Sequence, residues 1–302
     1  MIFLFLLALP FSCDLWLSQF EDQDQQTATA LIDQIDYFSY ERVCEDLKTL
    51  HRNVTSKVEG HTVVYSRAYV AKSGDLISYF YRTSNKISSF LFKNLSDHVD
   101  DKSNKVLVLL EDYVGTGTQF LYRIYAKENY ELFNQYKKVY LATLVANTSS
   151  IRKFDLIRSG QYELLADEFI SFLDRPKDEE TRNNMIKMLK RIPSGKFELI
   201  YLHEEKPLSD TLDPSEHLKI SALIDKYGKY SMETNFFKGL TMDSYSHTAF
   251  FYNCPNNLPA ILWDSNLKQF NGQSWMPLLK RTEEDVSINE RAQNPSIEKQ
   301  VR

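Results

Sequence analysis

Five consecutive aliphatic residues, Val106 to Leu110, run directly into Glu111 and Asp112 and then, past Tyr113 and Val114, into Gly115-Thr116-Gly117-Thr118. An apolar run of this length, bounded by turn formers, predicts a central parallel strand covered on both faces. A strand buried on both sides needs helices above and below it, so the chain is expected to be α/β. The turn that leaves the carboxyl end of such a strand is where open sheets bind their ligands.

The residues of that turn have a definite chemistry. Gly115 and Gly117 lack Cβ, which permits positive φ and close approach of a ligand to the backbone, and Thr116 and Thr118 offer hydroxyls at alternate positions. Together they suit a phosphate. Phe120, Leu121, Ile124, Tyr125 and Phe133 recur at helical spacing, so the turn is expected to open a helix whose first amides face the anion. Glu111 and Asp112 repel a phosphate; they suit hydroxyl groups, or Mg²⁺ held through its water shell, a few ångströms away. A phosphate beside a diol or metal describes a ribose 5-phosphate.

Strand, acid pair and Gly/Thr loop in this order resemble the phosphoribosyl pyrophosphate motif of type I phosphoribosyltransferases. The resemblance implies that Glu111 and Asp112 face the ribose hydroxyls and the charge developing on the ribose, and that Gly115, Thr116, Gly117 and Thr118 wrap the 5-phosphate. Gly115 stands where many members carry Thr, Ser or Asp, which removes a side chain and leaves the backbone cradle. Upstream, the stretch from His61 to Val70 reads as a strand, followed by Lys72-Ser73-Gly74-Asp75 and a helix through Leu76, Ile77, Phe80 and Tyr81. In the resembling family the corresponding turn binds pyrophosphate, so Lys72, Ser73 and Gly74 are its candidates; a plain helix-opening turn capped by Ser73 is the alternative. A short strand is expected over Ser88 to Phe92. A polar loop from Asn94 to Lys105 follows where the family has a flexible catalytic loop, with Lys102 and Lys105 as cations that either close over pyrophosphate or are solvated.

The two ends narrow the resemblance. Trp16-Leu17-Ser18-Gln19-Phe20-Glu21 precedes a helical stretch through Ala28, Leu31, Ile32 and Ile35; near the other end stand Tyr252-Asn253-Cys254-Pro255-Asn256-Asn257-Leu258-Pro259 and Trp275-Met276-Pro277-Leu278-Leu279-Lys280-Arg281. Around the acid-pair loop, these features resemble the phosphoribosyltransferase-like proteins of bacterial conflict systems, the PRTase-CE family, over roughly residues 14 to 281. That resemblance implies a role in anti-phage defence and a possible defence-system protein partner; a cytoplasmic location is expected from the three scattered cysteines, which fit a reducing compartment.

Composition sets limits. With 302 residues, 43% of them hydrophobic, the chain can bury a full core. A net charge of −5 disfavours non-specific nucleic-acid binding, which calls for a basic stripe. Cys13, Cys44 and Cys254 are scattered, giving neither a disulfide framework nor zinc-ligand spacing. Met1 to Phe11 is almost wholly apolar, but no Lys or Arg precedes it and it is too short to span a bilayer. It is expected to be a buried segment or to reflect a start codon placed early, with a signal segment as the alternative; no membrane association is expected. His61 and His247, the histidines nearest the motifs, read as packing or surface residues, and Trp263 and Trp275 as core.

The expected organisation is a helical N-terminal element over residues 1–58, an α/β core over 59–150, a helical and mixed region over 151–281 packing on that core, and a charged, disordered tail over 282–302. Within it, strands are expected at Lys138 to Ala146 and Lys196 to His203, and helices at Leu156 to Leu173, Asp178 to Ile192 and from Asp213-Pro214 to Tyr227. Phe250 to Tyr252 and Ala260 to Trp263 are expected as strands about the Asn256-Asn257 turn. Two functions follow. One is Mg²⁺-dependent phosphoribosyl transfer, or glycosidic cleavage of a nucleotide, with Glu111 and Asp112 catalytic. The other is a non-catalytic nucleotide sensor or regulatory subunit using the same pocket.

Overall fold

The computed structural model of the protein describes residues 13–67, 73–95, 97, 99–118, 120–121, 129–172, 178–228, 246–255, 258–265, 267, 269 and 272–279. The strands among them are β1 (Asp36–Phe38), β2 (Thr62–Arg67), β3 (Lys105–Val114), β4 (Lys138–Asn147), β5 (Phe197–Glu205) and β6 (Thr248–Phe250). The chain divides into two compact units, Tyr40–Lys206 and Met1–Ser39 with Pro207–Arg302. The apolar N-terminus, the 282–302 tail and the Asn256-Asn257 turn lie outside the described residues.

The larger unit is built on a parallel sheet in the order β2-β3-β4-β5. The aliphatic run supplies the middle of β3, with Val106 through Leu110 each at most 1% exposed. Leu107 and Leu109 join Val139 and Leu141 of β4 in a core with Phe154, Ile157, Leu165, Phe169 and Leu189. Val106, Val108 and Leu110 alternate with them and turn to the opposite face. Helices Tyr40–Lys57 and Ser73–Ser84 also pack on this sheet, the first on β4 and β5 and the second on β2 and β3. A strand that is apolar on both faces thus has helices on both. Val43, Leu47, Leu50 and Val54 form the buried stripe of Tyr40–Lys57, and this helix belongs to the sheet unit, where the sequence grouping had joined it to the N-terminal element.

Local signals explain several differences from the sequence expectations. The long helix expected from Leu156 is two helices, Thr148–Arg158 and Tyr162–Phe172. Gly160 ends the first at φ +72°; its amide donates to the Ile157 carbonyl (3.0 Å) and that of Gln161 to the Leu156 carbonyl (2.8 Å), a Schellman cap. Ser88 to Phe92 is not a strand: Ser89–Leu91 is a 3₁₀ turn capped by Ser88, and only Phe92 makes a parallel bridge, to Tyr65. Ala260–Trp263 is a short helix after Pro259, since a proline just before the first turn pre-sets its φ. The helix expected directly after the Gly/Thr loop is described only at Phe120–Leu121 and from residue 129 onward, including Tyr130–Gln135.

In the smaller unit β1 and β6 pair in parallel, with Asp36 opposite Thr248 and Phe38 opposite Phe250. Its core gathers Trp16, Phe20, Tyr227 and Trp275, with Phe20 centred 4.6, 4.7 and 5.2 Å from the rings of Trp16, Tyr227 and Trp275. The indoles of Trp16 and Trp275 both donate to the Ile261 carbonyl, at 3.1 and 2.9 Å, so burying these rings strands no polar group. Trp263 is buried as well and donates to the Leu258 carbonyl.

Candidate functional site

The carboxyl end of β3 carries the acid pair into the interior. Glu111 and Asp112 are each 4% exposed. The Asp112 amide donates to Glu111 Oε1 at 3.2 Å and the Tyr113 amide to Asp112 Oδ1 at 2.9 Å. Register continues through Tyr113 opposite Val145 and Val114 opposite Ala146, so the sheet holds the strand up to the point where Gly115 leaves it.

The loop then turns tightly. Gly117 sits at φ +69°, and a Cβ there would lie 3.1 Å from the Ser150 Cβ and 3.4 Å from its Cα. Both facts call for glycine at this position. The Leu121 amide donates to the Gly117 carbonyl at 3.0 Å, so a helical turn opens from the loop as the spacing predicts. Thr118 is 1% exposed, and its hydroxyl has no hydrogen-bond partner among the described residues. The hydroxyl of Ser66, near the carboxyl end of the adjacent β2, is buried in the same condition. A buried hydroxyl without a partner calls for an explanation, because groups of this kind are nearly always hydrogen-bonded.

A second element braces this loop, and the sequence reading had missed it. Helix Thr148–Arg158 follows β4 and is capped by Asn147, whose side chain accepts from the Ser149 amide at 3.0 Å. Ser150 donates to the carbonyls of Val114 (3.1 Å) and Asn147 (2.7 Å). Lys153 Nζ donates to the Thr116 carbonyl at 2.8 Å and to Ser149 Oγ at 3.0 Å. Lys153 is 4% exposed, and desolvation lowers its pKa to about 8. Ser150, Lys153, Phe154 and Ile157 follow the i, i+3, i+4, i+7 spacing of a buried stripe. A lysine on that stripe was the available signal.

Beyond the loop, Tyr113 donates its phenol to Glu205 Oε2 at 2.5 Å, and Asn147 Nδ2 lies 3.4 Å from the same oxygen. Glu205, 3% exposed, ends β5, so the carboxyl ends of β3, β4 and β5 are tied by one buried polar group. A cavity of about 540 Å³ opens beside the bracing helix, lined by Thr148, Arg152, Asp155, Arg158 and Glu204 among others.

The remaining candidates divide. Lys72 lies outside the described residues, Ser73 is the first residue of helix Ser73–Ser84, and Gly74 is buried. Arg67, at the end of β2, forms an ion pair with Asp75 in that helix and donates to Asn94 Oδ1 at 3.0 Å. Lys102 and Lys105 stand elsewhere: Lys105 begins β3, so a ten-residue strand places it roughly 30 Å from the loop. Its ammonium donates to the Asp100 carbonyl, and that of Lys102 to Gln135. The polar loop descends to the amino edge of the sheet, and these two lysines belong to that edge.

Among the described residues no group of three or more His, Cys, Asp or Glu side chains converges as a metal site. Glu111 and Asp112 are the carboxylates that would meet Mg²⁺, were it bound, with water and ligand oxygens completing the shell. Among the described residues no helix is long and apolar enough to cross a membrane.

A parallel sheet flanked by helices, with an acid pair and a Gly/Thr loop at the carboxyl end of a central strand, defines a phosphoribosyltransferase-like α/β protein. The chain belongs to the PRTase-CE family, whose model matches residues 13–281. A comparison with curated proteins gave no match.

Proposed function

We propose that this protein binds a ribose 5-phosphate ligand, either phosphoribosyl pyrophosphate or a nucleotide. The 5-phosphate occupies the loop of Gly115, Thr116, Gly117 and Thr118, and the ribose hydroxyls meet Glu111 and Asp112. The observation that carries this reading is the loop's construction: a glycine at positive φ and a buried, orphaned Thr118 hydroxyl, directly downstream of two buried carboxylates.

The chemistry that suits this arrangement is substitution at the anomeric carbon, by phosphoribosyl transfer or by glycosidic cleavage. Glu111 and Asp112 accept hydrogen bonds from the ribose hydroxyls and stabilise positive charge developing on the ring, while the loop fixes the phosphate and so the sugar. Mg²⁺, when bound, supplies neutralisation of the departing or attached phosphates. We place the activity in anti-phage defence, with a defence-system protein as partner, in the cytoplasm. A non-catalytic nucleotide sensor is the second reading. It is favoured by the cations that the sequence had offered for the pyrophosphate side or that border it: Arg67 is engaged by Asp75 and Asn94, and Lys102 and Lys105 stand at the opposite edge of the sheet.

Calorimetric titration with phosphoribosyl pyrophosphate and with nucleoside monophosphates, with and without Mg²⁺, separates the two readings when released pyrophosphate and free base are measured in the same samples. Binding with product establishes the enzyme, and binding without product establishes the sensor. Asp112→Asn is expected to retain the fold and to lose turnover and metal-dependent binding. Unchanged activity in that variant removes Asp112 from catalysis, and absence of all binding in the wild type overturns the ribose 5-phosphate reading.

A further inference from the structure

Helix Thr148–Arg158 grips the loop through two carbonyls spaced two residues apart, those of Val114 and Thr116. In a planar trans peptide the carbonyl of one residue and the amide of the next point in opposite directions. The peptide bonds of the described residues are all trans. Turning the Val114 and Thr116 carbonyls toward Ser150 and Lys153 therefore turns the amides of Gly115 and Gly117 away from the helix, both to the same side. Two alternate amides aimed together, at residues without Cβ, form a concave anion receptor.

We infer that Ser150 and Lys153 are positioning residues of the phosphate cradle: they aim the Gly115 and Gly117 amides at a phosphate monoester, and the Lys153 ammonium supplies its counter-charge from behind the loop. This inference rests on the ribose 5-phosphate reading of the same loop. The burial of Lys153 supports it. A buried ammonium is costly unless an anion compensates it. The charged groups acting on it are Glu168 of helix Tyr162–Phe172 and Arg152 of its own helix, and these already pair with each other at 3.0 Å. The loop itself offers Lys153 a carbonyl, with Glu111 and Asp112 upstream on the strand. A dianionic ligand in the cradle is the compensating charge.

The test is titration of the full chain with ribose 5-phosphate, with ribose as the uncharged control, from about pH 7 to 9.5, where a phosphate monoester remains dianionic. In the wild type, affinity for ribose 5-phosphate is expected to fall as pH rises past about 8, where Lys153 loses its proton. Lys153→Met is expected to bind at least about tenfold more weakly at pH 7 and to lose the pH dependence. Lys153→Arg, charged throughout, is expected to recover binding and to give a flat profile. Ser150→Ala is expected to weaken binding severalfold while keeping the wild-type pH profile, and to shift the ¹⁵N amide resonance of Gly115. A flat wild-type profile, or unchanged binding in both Ser150→Ala and Lys153→Met, overturns the inference while the ribose 5-phosphate reading stands. A wild type that binds no ribose 5-phosphate at any pH removes that reading and the inference with it. Should Lys153→Met not fold by circular dichroism, the wild-type profile and Ser150→Ala decide.

Discussion

The turns after β2 and after β3 leave the same edge of one sheet, and both lead from a strand into a helical turn, but their anchors differ in kind. After β2 the described anchor is Arg67 with Asp75, an ion pair whose side chains are 27% and 45% exposed. After β3 the anchors lie deeper: buried Ser150 and Lys153 on the loop carbonyls, and half-buried Tyr113 on buried Glu205. An exposed ion pair contributes little and tolerates loss. A buried polar contact is costly to leave half-made. The described anchor of the first turn is therefore exposed to solvent, whereas the contacts that hold the second are largely buried.

The difference is tested most severely at Gly117. A Gly117→Val substitution asks a β-branched residue to adopt φ +69° and to fit 3.1 Å from Ser150. It is expected to destabilise the protein by about 1–3 kcal/mol in urea unfolding. Ribose 5-phosphate binding is expected to fall by at least about tenfold. Retained affinity in a folded Gly117→Val protein would mean that the turn after β3 is not the phosphate subsite.

Tyr113→Phe probes the same turn without touching the loop. It removes the phenol that donates to the buried Glu205 and leaves a charged acceptor short of one partner. The expected loss is about 1.5–3 kcal/mol of stability, with affinity changed less than for Gly117→Val. A loss within a few tenths of a kcal/mol would show that the strand ends are held together without this contact.

Much of this contrast was written locally in the chain. The five-residue aliphatic run fixed β3, alternation in Lys196 to His203 marked β5, and the Asp213-Pro214 pair marked the start of helix Pro214–Gly228. Glu111, Asp112 and the Gly/Thr loop were legible because they are contiguous. What stayed hidden was whatever required two distant segments to meet. Lys153 touches Thr116 across 37 residues, and Tyr113 touches Glu205 across 92. Helix periodicity marks Lys153 as facing inward but gives no sign of what it faces. The three-residue strand β1 was missed, and β6 was expected two residues late, at Phe250 to Tyr252, for the same reason: Asp36–Phe38 is too short to show a period, and its pairing with Thr248–Phe250 spans most of the chain. Lys102 and Lys105 were placed by proximity in sequence to the motif, whereas the full length of β3 separates Lys105 from it.

The smallest effect is expected at the exposed ion pair of Arg67 and Asp75. Asp75→Asn breaks the pair with Arg67 while keeping the shape of the side chain, and because both partners are partly exposed the expected cost is about 0.2–1 kcal/mol. Ribose 5-phosphate affinity is expected to stay at the wild-type level, since the phosphate site proposed above is the other turn. Phosphoribosyl pyrophosphate is the discriminating ligand. Releasing Arg67 from Asp75 leaves a guanidinium with Asn94 as its described partner, beside the helix start at Ser73 and Gly74, and a guanidinium is well matched to a diphosphate. If affinity for phosphoribosyl pyrophosphate rises in Asp75→Asn while that for ribose 5-phosphate does not move, the first turn is the pyrophosphate subsite, held in check by its own ion pair. If both affinities stay level, that turn is a structural helix start, and the ligand is read by the β3 turn alone.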